Sequence, residues 1–439
     1  MSAPDSENRR SSFLTALALC LAMMGAAAMV YYHLHLYIPN VLEARAARGL
    51  GGGYSFGDDF YPVWLGARQW QTEHVDLYSR DMTREIQIGL FGRALDARNP
   101  ADPPVGYREF AYPAFTELIF WPVANADFTT LRTVLAVILP GLTAVSLWLW
   151  MLALQWRVHP LWFGILVLLA VSSYQVLEAL FAEQPGLFAG FLLACALLAL
   201  CRQRLLLAGT LLSLTLIKPQ MTLLAILFLL LWSLSDRRRV RFLAGFLITT
   251  LLLMAASLWI WPHWVGQWIR VLLGYDRYAS PPLVRLLAGP MLGAYIGPAA
   301  TIGLQALGAV ASWRNRRASA GSPQFWLTFC LLLAITSVTL LPGQAVYDHV
   351  ILIPAILLVL RYRHSLRAAG RVPRTLLMIG AAVLFWPWVA AFGVVVVRPL
   401  LTSAEFSAIL SLPIRSVPSL PFAVLALLVY AWRISPRSV

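Results

Sequence analysis

The chain's 439 residues are 59% hydrophobic and 12% charged, with a mean hydropathy of +0.71, which is more apolar surface than a soluble globular fold can bury. A net charge of +14 would suggest nucleic acid in a soluble protein, but taking the apolar runs as spans with the N-terminus inside puts +16 on the inner segments and −2 outside. This positive-inside pattern describes a polytopic membrane protein and argues against a nucleic-acid partner.

The first apolar run, Phe13 to Ile38, follows Arg9 and Arg10. It is too long for a signal-peptide core and shows no clear small-residue cleavage site before Pro39, so it reads as a retained membrane helix. The next segment, Pro39 to Phe110, carries ten acids and eight arginines, with turn signals at Gly49 to Gly53 (GLGGG) and Asn99 to Pro104 (NPADPP). Helices are expected within it over Pro62 to Trp70 and Met82 to Leu95. The apolar stretch Ala111 to Val123 is too short to span and reads as a re-entrant or interfacial helix. Four cysteines, Cys20, Cys195, Cys201 and Cys330, lie in or at the ends of apolar runs without metal-like spacing, which suggests neither disulfides nor zinc.

Within the first loop, Gly57 to Trp70 (GDDFYPVWLGARQW) sets Asp58 beside Asp59. A carboxylate at the membrane surface can take a proton from a hydroxyl nucleophile. It can equally cap the helix after Pro62, and both readings stay open. Neighbouring side chains diverge in a helix or a strand, so only one of the pair is expected to face a substrate.

Further on, Leu205 to Leu234 is thirty residues of nearly unbroken apolarity with arginines at both ends. One straight helix would put the basic flanks on opposite sides of the bilayer. A hairpin broken at Lys218-Pro219 keeps both inside, because proline interrupts the helical hydrogen-bond ladder there. Leu161 to Leu200 reads the same way, with its turn at Glu178 to Gly186. Completing the pass gives twelve spans, near 13–38, 131–154, 161–177, 185–200, 205–217, 219–234, 242–261, 291–312, 325–341, 350–361, 376–397 and 419–432. Several are shorter than the roughly 20 residues a bilayer asks for, so they are expected to be tilted, flanked by thinned bilayer, or ended in a water-filled cavity. The inner segments hold nineteen arginines, Arg437 among them, against Asp5, Glu7 and Asp236. The outer segment His263 to Pro290 is rich in tryptophan, tyrosine and arginine and reads as interfacial.

The chain thus divides into a cytoplasmic N-terminus (1–12), a first transmembrane helix (13–38), an exoplasmic loop with a re-entrant helix (39–130), a transmembrane core (131–262), an exoplasmic interfacial segment (263–290), C-terminal transmembrane helices (291–432) and a cytoplasmic tail (433–439). Polar groups gather at the outer apices: Glu178, Glu183 and Gln184 at one, Lys218 and Gln220 at the next, Tyr347, Asp348 and His349 at a third. Each is either a solvated turn residue or part of a site, since ionisable groups at membrane depth are costly. Lys218 is the only lysine beside 33 arginines. It either snorkels to the headgroups or serves the site.

The sequence resembles glycosyltransferase family 87, bacterial polyprenyl-phosphate-mannose-dependent mannosyltransferases of the multi-spanning GT-C architecture. The resemblance rests on DFYPVWLGAR (Asp59 to Arg68), FAYPAFTELIFWPV (Phe110 to Val123), the segment from Glu183-Gln184 through small residues to Lys218-Pro219, and YDHVIL (Tyr347 to Leu352), in that order. Ala114 stands where a second proline is usual, and Glu183 where a glycine precedes the glutamine. The resemblance implies an all-α polytopic integral membrane protein with the GT-C type glycosyltransferase fold. It implies transfer of a hexose, mannose by likeness, from a polyprenyl-phosphate sugar to a glycan or glycolipid acceptor, with inversion and an aspartate base. Asp59, which carries the Asp-Phe dipeptide, is the expected base and Asp58 its neighbour. Lys218 is expected at the donor phosphate, with Arg68, Arg108 and Arg277 as further phosphate ligands. Tyr112, Gln184, Tyr347, Asp348 and His349 complete the expected substrate-binding set, with no metal and no cofactor. The setting implied is the bacterial cytoplasmic membrane, with both termini cytoplasmic and the active site facing outward. A transporter or lipid flippase, or a non-catalytic partner in envelope assembly, remains the alternative.

Overall fold

Helix ends in this chain follow local chemistry. Ser79, Asp127 and Ser322 accept hydrogen bonds from the first-turn amides of Met82, Thr130 and Phe325, and Pro160, Pro185, Pro219 and Pro323 stand at the opening of the helices they begin, where a missing N–H costs nothing. The computed structural model describes residues 3–54, 56–73, 75–286 and 289–434. The last five residues, with Arg437, lie outside that set. Among the described residues the regular structure is all helix with no strand, only an isolated bridge between Pro282 and Pro342.

Every one of the twelve expected segments contains a helix, but fewer than twelve of these helices are by themselves long and apolar enough to cross a membrane. Among the described residues, six helices are long and apolar enough to cross a membrane: Phe13–Ala47, Phe128–Ala153, Arg237–Ile260, Leu292–Asn315, Arg371–Leu400 and Ser403–Arg433. A seventh is added if Pro160–Val171 and Tyr174–Phe181, bent by 53°, count as one span. Pro185–Cys201, Leu205–Ile217, Pro219–Leu234 and Pro323–Thr339 have 10–17 residues. At about 1.5 Å per residue, even the longest of these falls short of the roughly 30 Å hydrocarbon core. One of them is sheathed in protein. From Phe325 to Thr339, Pro323–Thr339 is buried at every position.

The first helix also departs from its expected end. It passes through a π-helical segment, Tyr32–Tyr37, and continues as Ile38–Ala47. The wider π turn lies directly before Pro39, where the ordinary ladder would lose a donor and meet the proline ring. The extension carries Arg45 out to the first loop.

The break at Lys218 is a true apex. Gly209 and Gly245 let two helices meet at backbone distance: a Cβ on Gly209 would lie 2.1 Å from the Phe242 carbonyl oxygen, and one on Gly245 2.2 Å from that of Leu206. Thr249 bonds Thr210 at 3.1 Å, and Ser213 lies 2.9 Å from Thr250. The paired positions advance together, so Leu205–Leu214 and Val240–Ile260 run parallel. Pro219–Leu234 must therefore return between them. At its far end Trp232 donates to the Ala318 carbonyl (2.8 Å) and Arg239 to those of Arg316 (3.0 Å) and Ala318 (3.2 Å). The arginine-rich turns 235–239 and 314–318 thus gather at the end of the bundle opposite Lys218.

Candidate active site

Backbone contacts dock the first loop onto a neighbouring apex. The Gly57 N–H donates to the Phe181 carbonyl (2.9 Å) and the Asp59 N–H to that of Ala182 (3.2 Å). Gly57 has φ +76°, and a Cβ there would lie 2.3 Å from Glu183 Oε2. Only glycine fits. Glu183 turns to Arg132 (3.5 Å) and does not face the cavity described below.

Asp58, Asp59 and Phe60 form a turn ahead of the helix Tyr61–Glu73. The divergence expected of neighbouring acids holds for helix or strand, and a turn is neither. Both carboxylates reach one guanidinium: Arg108 Nη1 lies 2.5 Å from Asp59 Oδ1, and Nη2 lies 2.5 Å from Asp58 Oδ2. Arg45 adds a second contact to Asp58 Oδ2 at 3.1 Å. A capping pair would not need this bridge. Arg108 adopts a left-handed backbone, φ +72°, uncommon for a residue with a side chain.

From Asp59 a chain of contacts runs inward. Gln184 Nε2 donates to Asp59 Oδ2. Lys218 Nζ donates to Gln184 Oε1 at 2.7 Å and to Asp348 Oδ1 at 2.6 Å, and lies 4.9 Å from the centre of the Tyr347 ring. Pro219 forces Lys218 out of the helical region, to φ −138° and ψ 72°, and so helps aim the side chain. Gly186 leaves room on the facing helix, where a Cβ would come within 3.0 Å of Asp348 Oδ1. Lys218 is 5% exposed and Asp348 and Gln184 2% each, so the ammonium is matched by a carboxylate where water is scarce.

These groups line a cavity of about 810 Å³. One wall comes from the expected interfacial segment. Its helix Trp264–Gly274 is fastened by Trp268 Nε1 to the Ala111 carbonyl (3.0 Å) and by Gln267 to Asp76. Ser280 N–H donates to Gln344 Oε1 (3.0 Å) and Gln344 N–H to Ser280 Oγ (2.7 Å), which clasps this segment to the loop leading into Asp348. Burial raises the Glu109 carboxyl above its ordinary range, with Arg277 opposing the shift.

Of the residues singled out from the sequence, Asp58, Asp59, Arg108, Tyr112, Gln184, Lys218, Tyr347 and Asp348 border the cavity, as do Glu178 and Gln220. Besides Glu183, three are not brought there. Arg68 is exposed and lies over the Trp64 ring at 5.3 Å. Arg277 is exposed on the turn Tyr275–Arg277. His349 is buried and borders a separate apolar cavity of about 130 Å³ with Trp388. It follows Asp348 in a 3₁₀ segment, Val346–Leu352, where each residue turns about 120° from the last, so neighbours face different cavities. Sequence reasoning passed over Arg45 and the lining aromatics Tyr107, Trp268, Tyr275 and Tyr278. Arg45 was hidden because Pro39 reads as a helix end.

Residues 110–342, more than half of the chain, match the model of glycosyltransferase family 87. The match contains Gln184 and Lys218 and stops short of Asp59 on one side and Asp348 on the other. Neither a curated protein nor a solved structure matches the chain. A polytopic helical membrane fold, a polar cavity built where its apices meet, and this match agree: the chain belongs to glycosyltransferase family 87.

Proposed function

We propose that this membrane glycosyltransferase moves a hexose, mannose as the family resemblance has it, from a polyprenyl-phosphate sugar to a lipid-linked or envelope glycan acceptor on the outer face of the bacterial cytoplasmic membrane. The observation that carries this reading is the meeting of Asp59, Arg108, Gln184, Lys218 and Asp348 around one cavity, at the end of the bundle away from the arginine-rich turns. The positive-inside rule assigns those turns to the cytoplasm and the cavity to the outside. A polyprenyl tail stays in lipid while its phosphate reaches such a cavity at the interface. Family membership makes the chain an enzyme, which sets aside the flippase and the non-catalytic partner.

In this scheme the acceptor hydroxyl attacks the anomeric carbon and Asp59 takes its proton. The bond from that carbon to the phosphate oxygen breaks with its electron pair on the phosphate, so the configuration inverts and polyprenyl phosphate leaves. Lys218 holds two acceptors and has a third N–H for the charge that develops on the leaving oxygen. No cofactor enters the scheme.

Incubation of the purified protein with a radiolabelled polyprenyl-phosphate hexose and an acceptor glycolipid tests the reaction: release of polyprenyl phosphate is expected, and an intact donor overturns it. Orientation is tested with Gly52→Cys and Gln203→Cys in intact cells. An impermeant maleimide should label the first and not the second, and equal labelling ends the outward assignment.

A further inference from the structure

We propose that Gln184 is the positioning residue for Asp59 and that Lys218 fixes which way its amide faces. The inference rests on the reading of Asp59 as the base. A glutamine amide has a donor end and an acceptor end that can exchange by rotation about its last bond, and an ammonium only donates. With Lys218 Nζ 2.7 Å from one end of the amide, that end must be the oxygen. The NH₂ is then turned to Asp59 Oδ2, the contact seen. Asp348, 2.6 Å from the same ammonium, keeps Lys218 in place.

The backbone beneath the amide is equally constrained. Gln184 directly precedes Pro185 at the start of Pro185–Cys201, and its own N–H is held by the Ala179 carbonyl at 2.8 Å. Glu183 before it sits at φ +51°. Asp59 and Gln184 are thus fixed on two segments that the bond from Asp59 N–H to the Ala182 carbonyl already ties together. An ionised carboxylate offers about four acceptor positions. Arg108 and Gln184 occupy two, one on each oxygen, which holds the carboxylate plane while leaving capacity for an incoming hydroxyl. The other titratable or charged groups around it are Asp58, Glu178, Tyr112, Tyr275, Tyr347 and the Lys218–Asp348 pair.

The consequence is a split between binding and turnover. Losing the bond leaves the Asp59 carboxylate free to rotate out of line with the incoming hydroxyl, which slows the chemical step and leaves donor binding in place. Gln184→Leu removes both ends of the amide. Gln184→Met keeps the length of the side chain, which guards against misfolding in the first variant, and has no N–H to offer Asp59.

Measured with a polyprenyl-phosphate hexose, both variants should keep the donor KM within about twofold and lose roughly 10- to 100-fold in kcat. A folded Gln184→Met protein whose kcat matches the parent's overturns the proposal, as does a loss confined to donor KM. Asp59→Asn, assayed alongside, separates the two levels of inference. If that variant is inactive while the Gln184 variants keep the parent's kcat, only the positioning role fails; if it is fully active, the base assignment itself fails.

Discussion

Arg108 joins Asp58 and Asp59 through one guanidinium, each nitrogen 2.5 Å from a different carboxylate. The two acids nevertheless differ. Asp58 receives Arg45 and Arg108 on the same oxygen, whereas Asp59 has one donor on each oxygen and connects onward to Gln184 and Lys218. Asp59→Asn keeps shape and removes basicity, and is expected to lower turnover by roughly two to four orders of magnitude with donor binding near normal. Asp58→Asn should be milder. Steady-state kinetics on both variants decide it: an inactive Asp58→Asn beside an active Asp59→Asn reverses the roles, and two active variants end base catalysis by this pair.

Gly57 holds the acids against the Phe181–Gln184 turn. Gly57→Ala has to accept a left-handed conformation that disfavours a side chain by about 1–2 kcal/mol, and also a contact with Glu183 that cannot stand. Loss of most activity and a lower melting temperature in detergent are expected. Gly164→Ala is the control, because a Cβ there meets nothing within 4 Å in the helix Pro160–Val171. Equal behaviour of the two variants would remove the role given to this turn.

What could be read in the sequence was local. The break at Lys218-Pro219 was visible because proline interrupts a ladder and flanking arginines choose a side, and the parallel run of Leu205–Leu214 with Val240–Ile260 agrees with it. The number of full crossings was not visible. Apolarity does not distinguish a short helix sheathed in protein, such as Pro323–Thr339, from one that meets lipid across the whole bilayer. Contacts such as Lys218 to Asp348, 130 positions apart, depend on how helices pack, and no local pattern encodes them. The same holds in the negative for His349, where one step along a 3₁₀ turn separates a residue of the polar cavity from one at the apolar cavity.

A pH response is expected in the first loop, away from the cavity. Arg93 clamps Asp102 with two bonds of 2.7 and 2.6 Å, and the Asp96 N–H adds a third at 2.9 Å. The arginine foremost, then that amide, hold the Asp102 carboxyl down at about 2. Its folded value lies below the unfolded value of about 3.9, so the stabilisation is fully present above that pH and is lost as pH falls from about 4 through 2. Hydrogen exchange, corrected for its intrinsic pH dependence, should show residues 92–104 losing protection over that window. In Asp102→Asn the segment should be poorly protected already at pH 5, and an unchanged profile in that variant would exclude this clamp as the cause.

The last expectation concerns the only lysine. Snorkelling, as an explanation, asks for an ammonium that reaches out to headgroups. Lys218 instead is 5% exposed and points its ammonium at Gln184 and Asp348, so its place is in the cavity wall. A compact ammonium meets both acceptors with one N–H to spare, and a planar guanidinium fork is too broad for the same space. Lys218→Gln is therefore expected to lose most transfer at sub-saturating donor, and Lys218→Arg to restore it only in part. A confounding effect is built into the site: removing one member of a buried ion pair leaves Asp348 uncompensated, which typically costs about 3–5 kcal/mol. Lys218→Gln combined with Asp348→Asn removes the stranded charge and should recover the melting temperature. If the stabilised double variant stays inactive with a raised donor KM, the ammonium acts on the phosphate. If it loses kcat alone, Lys218 works through Gln184 and Asp59, and full activity at low donor would leave it with neither role.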